Sequence, residues 1–328
     1  MRLLGRATAI AAALLALSGC SVIPGLGPDG PYPDDDLTFV VPYGPGGSTD
    51  PIARKFAAEL EKELDVEVVV ENREGGSATI GTSRIVKAPA DGYTIGLTSN
   101  SAVGYQPLLT DALPYQSTKD YRPLVKLADL PTILTVRADA PWRTIEDFMA
   151  DARERPGEIK VSTSGARTAP DLTVQQLNQK GKVELTGVPF SGGGGEAMTA
   201  LLAGEVEANA GYAPSVKENV EAGKLRVLGV FHDGTYEAAP KAGLFPKAGY
   251  DVTLPASYYV IGPKGMPADV LARLQAASNK AARSPGFTAF AKDQGYVLER
   301  LTPEQISAEI DAYTTEYRQI NAALGEGS

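Results

Sequence analysis

The chain reads Phe-Val-Val-Pro-Tyr-Gly-Pro-Gly-Gly-Ser-Thr-Asp from Phe39 to Asp50, and the rest of the sequence is interpreted around this stretch. The apolar run before Pro42 predicts a short buried strand. The glycines after it leave the turn without Cβ atoms, so a ligand can approach the backbone closely. Asp50 and the proline that follows it favour the start of a helix. A glycine-rich turn between a strand and a helix N-terminus is typical of an anion-binding site.

The composition limits the classes of function. A chain of 328 residues, 43% of them hydrophobic, is long enough for about two globular domains. Its formal net charge of −9 disfavours binding to nucleic acid or to an anionic membrane surface. The single cysteine excludes an intrachain disulfide, so stability must come from the apolar core.

The first residues form a targeting segment. Arg2 and Arg6 precede an apolar run, residues 7–17, that is too short to cross a membrane. The run ends in Leu-Ser-Gly-Cys, which resembles a bacterial lipobox, so we expect residues 1–20 to be a lipoprotein signal with Cys20 as the lipidated N-terminus. An ordinary signal peptide with an incidental cysteine is the alternative. Both readings export the protein, and the first anchors it to the outer face of the cytoplasmic membrane.

The mature chain divides into a tether and two lobes. Residues 21–36, rich in proline, glycine and aspartate, predict a disordered tether. Beyond them, short apolar runs alternate with amphipathic helical patterns, which is typical of mostly parallel α/β sheets. The alternation restarts midway, so we expect a first lobe of residues 37–125 and 233–328 and a second lobe of residues 126–232.

Two crossings join the lobes in this interpretation, near Leu124–Asp129 and Gly229–Asp233, and we expect both to act as hinges. Ligands in such sheets bind beyond the carboxyl ends of the strands. A second glycine-rich turn, Ser191 to Gly195, precedes a predicted helix of the second lobe. One such turn alone is usually a connector, but two of them favour a ligand held between the lobes.

The sequence offers little for catalysis. His232, the only histidine, follows an apolar run and is interpreted as a hinge or turn residue. The chain has no second histidine for a zinc site, no thiol beyond Cys20 and no Gly-x-Ser-x-Gly nucleophile elbow. We therefore expect no enzymatic activity, no metal and no cofactor.

Three aromatic residues have predicted positions. Trp142, the only tryptophan, is interpreted as a packing residue, with stacking on a ligand as the alternative. Of the neighbours Tyr258 and Tyr259, one is expected in the core and the other facing the cleft between the lobes.

Six motifs, taken in order over residues 37–328, resemble the substrate-binding receptors of tripartite tricarboxylate transporters, also called Bug receptors. They are the glycine-rich turn with its flanks, Val-Glu-Asn-Arg with a following glycine, Ala-Asp-Gly-Tyr-Thr, Val-Pro-Phe, Gly-Glu-Val and Ala-Gly-Lys-Leu-Arg, which begin at Val41, Val70, Ala90, Val188, Gly204 and Ala222. The resemblance implies a two-lobed type II periplasmic-binding-protein fold. Such a receptor closes on a small mono-, di- or tricarboxylate and delivers it to membrane permease subunits, and we expect it to be a monomer.

The resemblance also implies where the ligand binds. In that family, loops from both lobes hold one carboxylate through backbone amides, hydroxyls and ordered water. Carried over to this sequence, the ligand-binding residues lie on the glycine-rich turn, after the third strand and in second-lobe loops: Tyr43, Gly46, Gly47, Ser48, Thr49, Asp50, Thr98, Ser99, Asn100, Ser164, Gly165, Ala166, Arg167, Thr168 and Gly211.

Arg167 departs from the small or neutral residue expected in the second-lobe loop. Its guanidinium would hold a second carboxylate bidentately, which would select a dicarboxylate. The alternative is a side chain that points to solvent or pairs with Asp171 four residues on. A second function also stays open, in which the lipoprotein presents its bound carboxylate to a sensor kinase instead of a permease.

Overall fold

The computed structural model describes residues 32–45, 47–191 and 193–323. The predictions for the signal segment, for Cys20 and for Gly46 concern positions outside these residues, as does most of the predicted tether. Within the described part, the two-lobed α/β fold is confirmed, since the strands form two separate sheets with helices packed on them. None of the helices in that part is long and apolar enough to cross a membrane.

The first lobe is built on a five-stranded sheet. Its strands are β1 (Leu37–Val41), β2 (Val68–Asn72), β3 (Thr94–Ser99), β4 (Tyr121–Leu130) and β11 (Ala256–Pro263). They lie in the order β2-β1-β3-β11-β4. β1 pairs in parallel with β2 and β3, whereas β11 is antiparallel to β3 and β4. The C-terminal part of the chain therefore returns to the first lobe, as the sequence predicts.

Helices and helical turns cover this sheet: α1 (Asp50–Leu64), α2 (Thr79–Val86), a π-turn (Ser101–Tyr105), a 3-10 turn (Gln106–Leu108), α7 (Ala268–Ala281), α8 (Pro285–Asp293) and α9 (Pro303–Ala323). Ile52, Phe56 and Leu60 of α1 are fully buried, as their helical spacing predicts. The ring centroid of Phe56 lies 5.5 Å from that of Phe39. Burial of each such side chain contributes about 1.5–3 kcal/mol. This packing fixes the first turn of α1 over the end of β1.

The second lobe is built on a six-stranded sheet. Its strands, in the order β10-β9-β5-β8-β6-β7, are β5 (Ile133–Arg137), β6 (Lys160–Thr163), β7 (Thr186–Pro189), β8 (Ala208–Gly211), β9 (Leu225–Val230) and β10 (Gly243–Leu244). Its helices are α3 (Ile145–Glu154), α4 (Ala169–Gly181), α5 (Gly194–Ala203) and α6 (Ala213–Glu221). Trp142 is buried beside Phe148, with ring centroids 5.1 Å apart, and its Nε1 donates to Asp151 Oδ2 at 2.8 Å. Its predicted packing role is confirmed.

The crossings between the sheets lie later in the chain than the sequence analysis places them. The first falls between the end of β4 and the start of β5, at residues 131–132. The second is displaced further, because β10 pairs with β9 and the ring of Phe245 stacks on Phe231 at 3.9 Å. The chain therefore stays with the second sheet beyond residue 232 and returns just before Ala256. The second crossing therefore lies just before Ala256, later in the chain than the predicted boundary at 232–233 and the predicted hinge at Gly229–Asp233.

The chain packs on the first lobe earlier than the predicted end of the tether. The hydroxyl of Tyr32 donates to the carbonyl of Gly92 at 2.9 Å, and its ring meets that of Tyr93 edge-on at 5.3 Å. These contacts hold residues 32–36, which the sequence analysis assigns to the tether, against the turn before β3.

Candidate functional site

A cavity of about 560 Å³ lies between the two lobes. The loops after β1, β2 and β3 line it from the first lobe, and the loops after β6, β7 and β8 line it from the second. These are carboxyl ends of strands, which is where ligands bind in open α/β sheets. The predicted site residues that line it are Tyr43, Gly47, Ser48, Thr49, Ser99, Ser164, Gly165, Ala166 and Thr168.

Asp50 lies beside the cavity but not in its lining. Its Oδ1 accepts a hydrogen bond from Asn72 Nδ2 at 2.8 Å, and its Oδ2 pairs with Arg54 Nε at 2.8 Å. Asn72 Nδ2 also donates to the carbonyl of Tyr43 at 2.9 Å. Asp50 therefore holds the glycine-rich turn in place, and its carboxylate is already occupied.

Three more predicted residues have structural partners instead of a place in the lining. Thr98 is fully buried and its Oγ1 lies 3.0 Å from Thr82 Oγ1. Asn100 Nδ2 donates to the carbonyl of Pro255 at 3.0 Å, which ties the loop after β3 to the second crossing. At Gly211 a Cβ would overlap Asn209 Oδ1, so a side chain here would displace the buried Asn209 side chain.

Arg167 is absent from the cavity lining that the described residues provide. Its backbone has a φ of 58°, and its N–H donates to Asp171 Oδ2 at 2.7 Å. A positive φ is uncommon for a residue with a side chain. In this conformation the flanking residues Ala166 and Thr168 line the cavity and Arg167 does not. Arg167 is therefore not among the residues that line the cavity, and its role as a dicarboxylate clamp stays a prediction.

Three tyrosines line the cavity floor: Tyr43, Tyr212 and Tyr258. The hydroxyl of Tyr43 donates to Ser99 Oγ at 2.7 Å, and that of Tyr258 accepts from Thr49 Oγ1 at 3.1 Å. Burial raises the pKa of all three phenols above its ordinary value. Their hydroxyls therefore stay protonated and neutral at physiological pH. The proton of Tyr43 is used in the bond to Ser99, so Tyr212 and Tyr258 are the candidate donors to a ligand.

The loop after β2 also lines the cavity, although none of its residues was predicted to belong to the site. Its residues Gly75, Gly76, Ser77 and Ala78 all have positive φ, with values of 116°, 56°, 51° and 74°. For non-glycine residues this conformation costs about 1–2 kcal/mol each. Ser77 Oγ donates to the carbonyl of Ala166 at 3.3 Å, which bridges the two lobes. The adjacent pair of glycines was the available sequence signal.

The second glycine-rich turn lines the same cavity. Its described members there are Ser191, Gly193, Gly194 and Gly195, and α5 begins at Gly194. A Cβ on Gly193 or Gly195 would meet nothing within 4 Å. Packing therefore does not require glycine at either position, but the φ of 80° at Gly193 favours glycine there.

Helix N-termini converge on this cavity from both lobes. The N-cap residues of α1, α2, α4, α5 and α6 all line it. These residues are Thr49, Ala78, Thr168, Gly193 and Tyr212. Each helix N-terminus presents free N–H groups and a partial positive charge of about half an elementary charge. The arrangement is suited to binding an anion without a cationic side chain.

Elsewhere in the first lobe, three carboxylates surround the ammonium group of a buried lysine. Oxygens of Asp129, Glu299 and Glu309 lie within 4.8 Å of one another, and the buried Lys126 Nζ contacts all three at 2.8, 2.7 and 2.6 Å. Burial alone would lower the pKa of Lys126, but the three carboxylates outweigh it and raise that pKa. Tyr259 donates to Glu309 Oε2 at 2.7 Å. The cluster is therefore a structural ion network, and Tyr259 is the core member of the tyrosine pair.

A second cavity, of about 460 Å³, lies between α6 and the end of α8. Lys217 Nζ and Asp293 Oδ1 form an ion pair across it at 2.8 Å, which joins the second lobe to the first. Its lining mixes aliphatic side chains with charges of both signs. No predicted site residue lies there, so we place the candidate site in the cleft.

Comparison with known proteins identifies the family to which the chain belongs. The family model of the tripartite tricarboxylate transporter family receptor matches residues 52–310. A UPF0065 protein of Pseudomonas sp. (strain P51), from the tcbD-tcbE intergenic region, is 32% identical over 88% of this chain and 86% of its own length. MatC from Rhodopseudomonas palustris, solved with bound malate, is 25% identical, covers 88% of this chain and 99% of its own, and has a TM-score of 0.79. A second R. palustris protein, solved with adipate, is 25% identical, covers 90% and 98%, and has a TM-score of 0.83. The chain is therefore a member of the tripartite tricarboxylate transporter receptor family.

Proposed function

We propose that this chain is an extracytoplasmic receptor that captures a small organic carboxylate between its lobes. The observation that carries the proposal is the set of helix N-caps, from both lobes, that line one cavity. Backbone N–H groups at helix N-termini bind anions. Relatives with the same fold hold malate and adipate, which are carboxylates.

The ligand carboxylate would be held by neutral donors. Tyr212 and Tyr258 offer phenolic hydroxyls, and the two glycine-rich turns offer backbone N–H groups from opposite lobes. The hydroxyl of Tyr43 already donates its proton to Ser99 Oγ. Fixed, uncharged donors give a carboxylate directional hydrogen bonds, and hydrogen bonds to a charged group are worth about 1.5–3 kcal/mol. Contacts from both lobes would make ligand binding favour lobe closure.

We further propose that Cys20 is the lipid anchor and that the receptor passes its ligand to the permease of a tripartite tricarboxylate transporter. The lipobox-like Leu-Ser-Gly-Cys sequence and the polar segment that follows it support the anchor. Membership of the receptor family supports the permease. We propose binding without catalysis, because no histidine or cysteine is among the described residues that line the cleft.

A thermal-shift screen of the chain without its leader tests the binding proposal. A carboxylate at about one hundred times its dissociation constant stabilises the folded state by about 2.7 kcal/mol. At about 2–4 °C per kcal/mol this raises the melting temperature by several degrees. The methyl ester of the same acid is the matched control and should give no shift. An equal shift with the ester, or with a neutral sugar, would contradict the anion site.

A further inference from the structure

Glu74 is the one carboxylate among the described residues that line the cleft, and no lysine, arginine or histidine accompanies it there. It stands on the loop after β2, and its side chain lies over the glycine-rich turn, where a Cβ on Gly44 would overlap its Oε2. The cleft therefore combines helix N-termini that attract an anion with one negatively charged side chain.

The charge of Glu74 is uncompensated, unlike the charges of its neighbours. Glu71 pairs with Arg73, and Asp50 pairs with Arg54. Among the described residues, no cation lies within ion-pair distance of Glu74, which is exposed to the open cleft. A carboxylate without a partner is free to interact with a bound molecule.

The loop that carries Glu74 is held in position. Gly75 and Gly76 follow it with positive φ, and the N–H of Thr79 bonds back to the carbonyl of Gly76 at 3.1 Å. Ser77 then reaches the carbonyl of Ala166 in the second lobe at 3.3 Å. Glu74 therefore stands on a positioned loop, beside the point where the two lobes already touch.

We propose that Glu74 sets the substrate class of this receptor. Resting on the proposed function, the inference is that the ligand carries a carboxylate at one end, held by the helix N-termini, and an ammonium or similar cationic group at the other, paired with Glu74. A second carboxylate at that end is repelled. This receptor would thus differ from its relatives that hold malate and adipate, which carry a carboxylate at each end.

Isothermal titration with three straight-chain acids of equal length tests the inference: pentanoate, 5-aminopentanoate and glutarate. They share one carboxylate and differ only at the distal end, which is apolar, cationic or anionic. The three- to six-carbon sets of the same three types cover ligand length. On the unmodified chain we expect 5-aminopentanoate to bind about three- to tenfold more tightly than pentanoate, and glutarate to bind more weakly than both.

Variants at Glu74 separate the effect of its charge on ligand affinity from the effect of its shape. Glu74→Gln should weaken 5-aminopentanoate and strengthen glutarate, each about three- to tenfold, and leave pentanoate unchanged. Glu74→Lys should reverse the order, so that glutarate binds most tightly. The control is Asp111→Asn, which removes an exposed carboxylate that does not line the cleft and should leave the order as it was. Circular dichroism verifies that each variant is folded.

The outcomes distinguish the two proposals. If glutarate binds the unmodified chain as tightly as 5-aminopentanoate, or if Glu74→Gln leaves their ratio unchanged, the role of Glu74 is overturned while carboxylate binding stands. If no acid of any length or type binds, the proposed function falls and the inference falls with it.

Discussion

The two rims of the cleft are built differently. The first-lobe rim, residues 42–45, 47–49 and 73–78, is bonded to other elements of its lobe: Asn72 bridges Asp50 and the carbonyl of Tyr43, and Tyr296 donates to the carbonyl of Ser48. The second-lobe rim, residues 164–168, 191 and 193–195, has bonds of its own, from Thr168 Oγ1 to the carbonyl of Gly165 at 2.8 Å and from the N–H of Gly193 to the carbonyl of Phe190 at 3.1 Å. It differs in that a Cβ on Gly193 or Gly195 would meet nothing within 4 Å.

This difference suggests that the two rims play different parts in ligand binding. A surface whose groups are already fixed loses less conformational entropy when it binds a ligand. The first-lobe rim would therefore receive the ligand, and the more open second-lobe rim would adjust around it as the lobes close. Each rim offers matched positions at which this idea can be tested.

The largest effect is expected from filling the first-lobe rim. Gly47→Val should weaken carboxylate binding at least about a hundredfold, because the new side chain enters the cavity from a turn that Asn72 and Tyr296 hold by hydrogen bonds. A Cβ at Gly47 makes only an ordinary contact, 3.7 Å from the carbonyl oxygen of Gly44, so the fold should be retained. Gly195→Val on the second-lobe rim should cost only about tenfold, because Gly195 is exposed and its new side chain would have open space around it. Isothermal titration measures both.

Circular dichroism and urea unfolding serve as the control for these two variants. Equal losses of affinity would mean that the rims hold the ligand equally. Full affinity in Gly47→Val would mean that the glycine-rich turn is only a connector.

The next effect is on stability. Asn72→Ala removes a hydrogen bond to the buried Asp50 and one to the carbonyl of Tyr43, so we expect the free energy of unfolding to fall by about 2–3 kcal/mol. Thr199→Ala is the second-lobe counterpart, since its Oγ1 donates to the carbonyl of Gly195 at 3.0 Å from an exposed residue. We expect it to cost less than about 0.5 kcal/mol. Urea denaturation decides the matter, and similar costs for both variants would show that the rims are equally ordered.

Closure of the lobes gives a smaller signal. The crossings at residues 131–132 and just before Ala256 are the expected hinges, and small-angle scattering should show a slightly smaller radius of gyration with ligand than without. Lys217 with Asp293, and Ser77 with Ala166, already span the lobes. An unchanged radius would mean that these contacts hold the lobes together before ligand arrives.

Local patterns account for what the sequence predicts correctly about the fold. The spacing of Ile52, Phe56 and Leu60 and the alternation of strands and helices depend on neighbours in the chain, so they can be read without tertiary information. The second crossing cannot be read in this way. β10 contains only Gly243–Leu244, and the contact that keeps it with the second sheet is the stacking of Phe245 on Phe231.

The residues of the site also fall into two groups, those that the local sequence pattern predicts and those that depend on tertiary contacts. Residues on the strand-turn-helix pattern, such as Ser48 and Thr49, line the cavity because their position follows from the local turn. Tyr212 and Ser101 also line the cavity and directly follow the predicted residues Gly211 and Asn100. The local sequence therefore places the two loops, but tertiary packing decides which neighbour faces the cavity. Asp50, although adjacent in sequence, has its carboxylate occupied by other residues of the chain, which a polar residue in a predicted loop does not reveal.

The smallest predicted effect concerns backbone strain on the first-lobe rim. Ser77 has a φ of 51°, and Lys182, which ends α4 away from the cleft, has a φ of 50°. Glycine relieves about 1–2 kcal/mol of strain in this region and costs about 0.5–1 kcal/mol of chain entropy, so Lys182→Gly should stabilise the protein by about 0.5–1 kcal/mol. Ser77→Gly should stabilise it less, because it also loses the hydrogen bond to Ala166. Only Ser77→Gly should also weaken carboxylate binding, by about two- to fivefold, because it loosens the loop that carries Glu74 and removes the bond to Ala166. Unfolding in urea and titration of each variant measure the two effects separately. If Ser77→Gly binds as tightly as Lys182→Gly, the strained loop does not prearrange the rim, and the contrast between the two rims would rest on Asn72 and Gly47 alone.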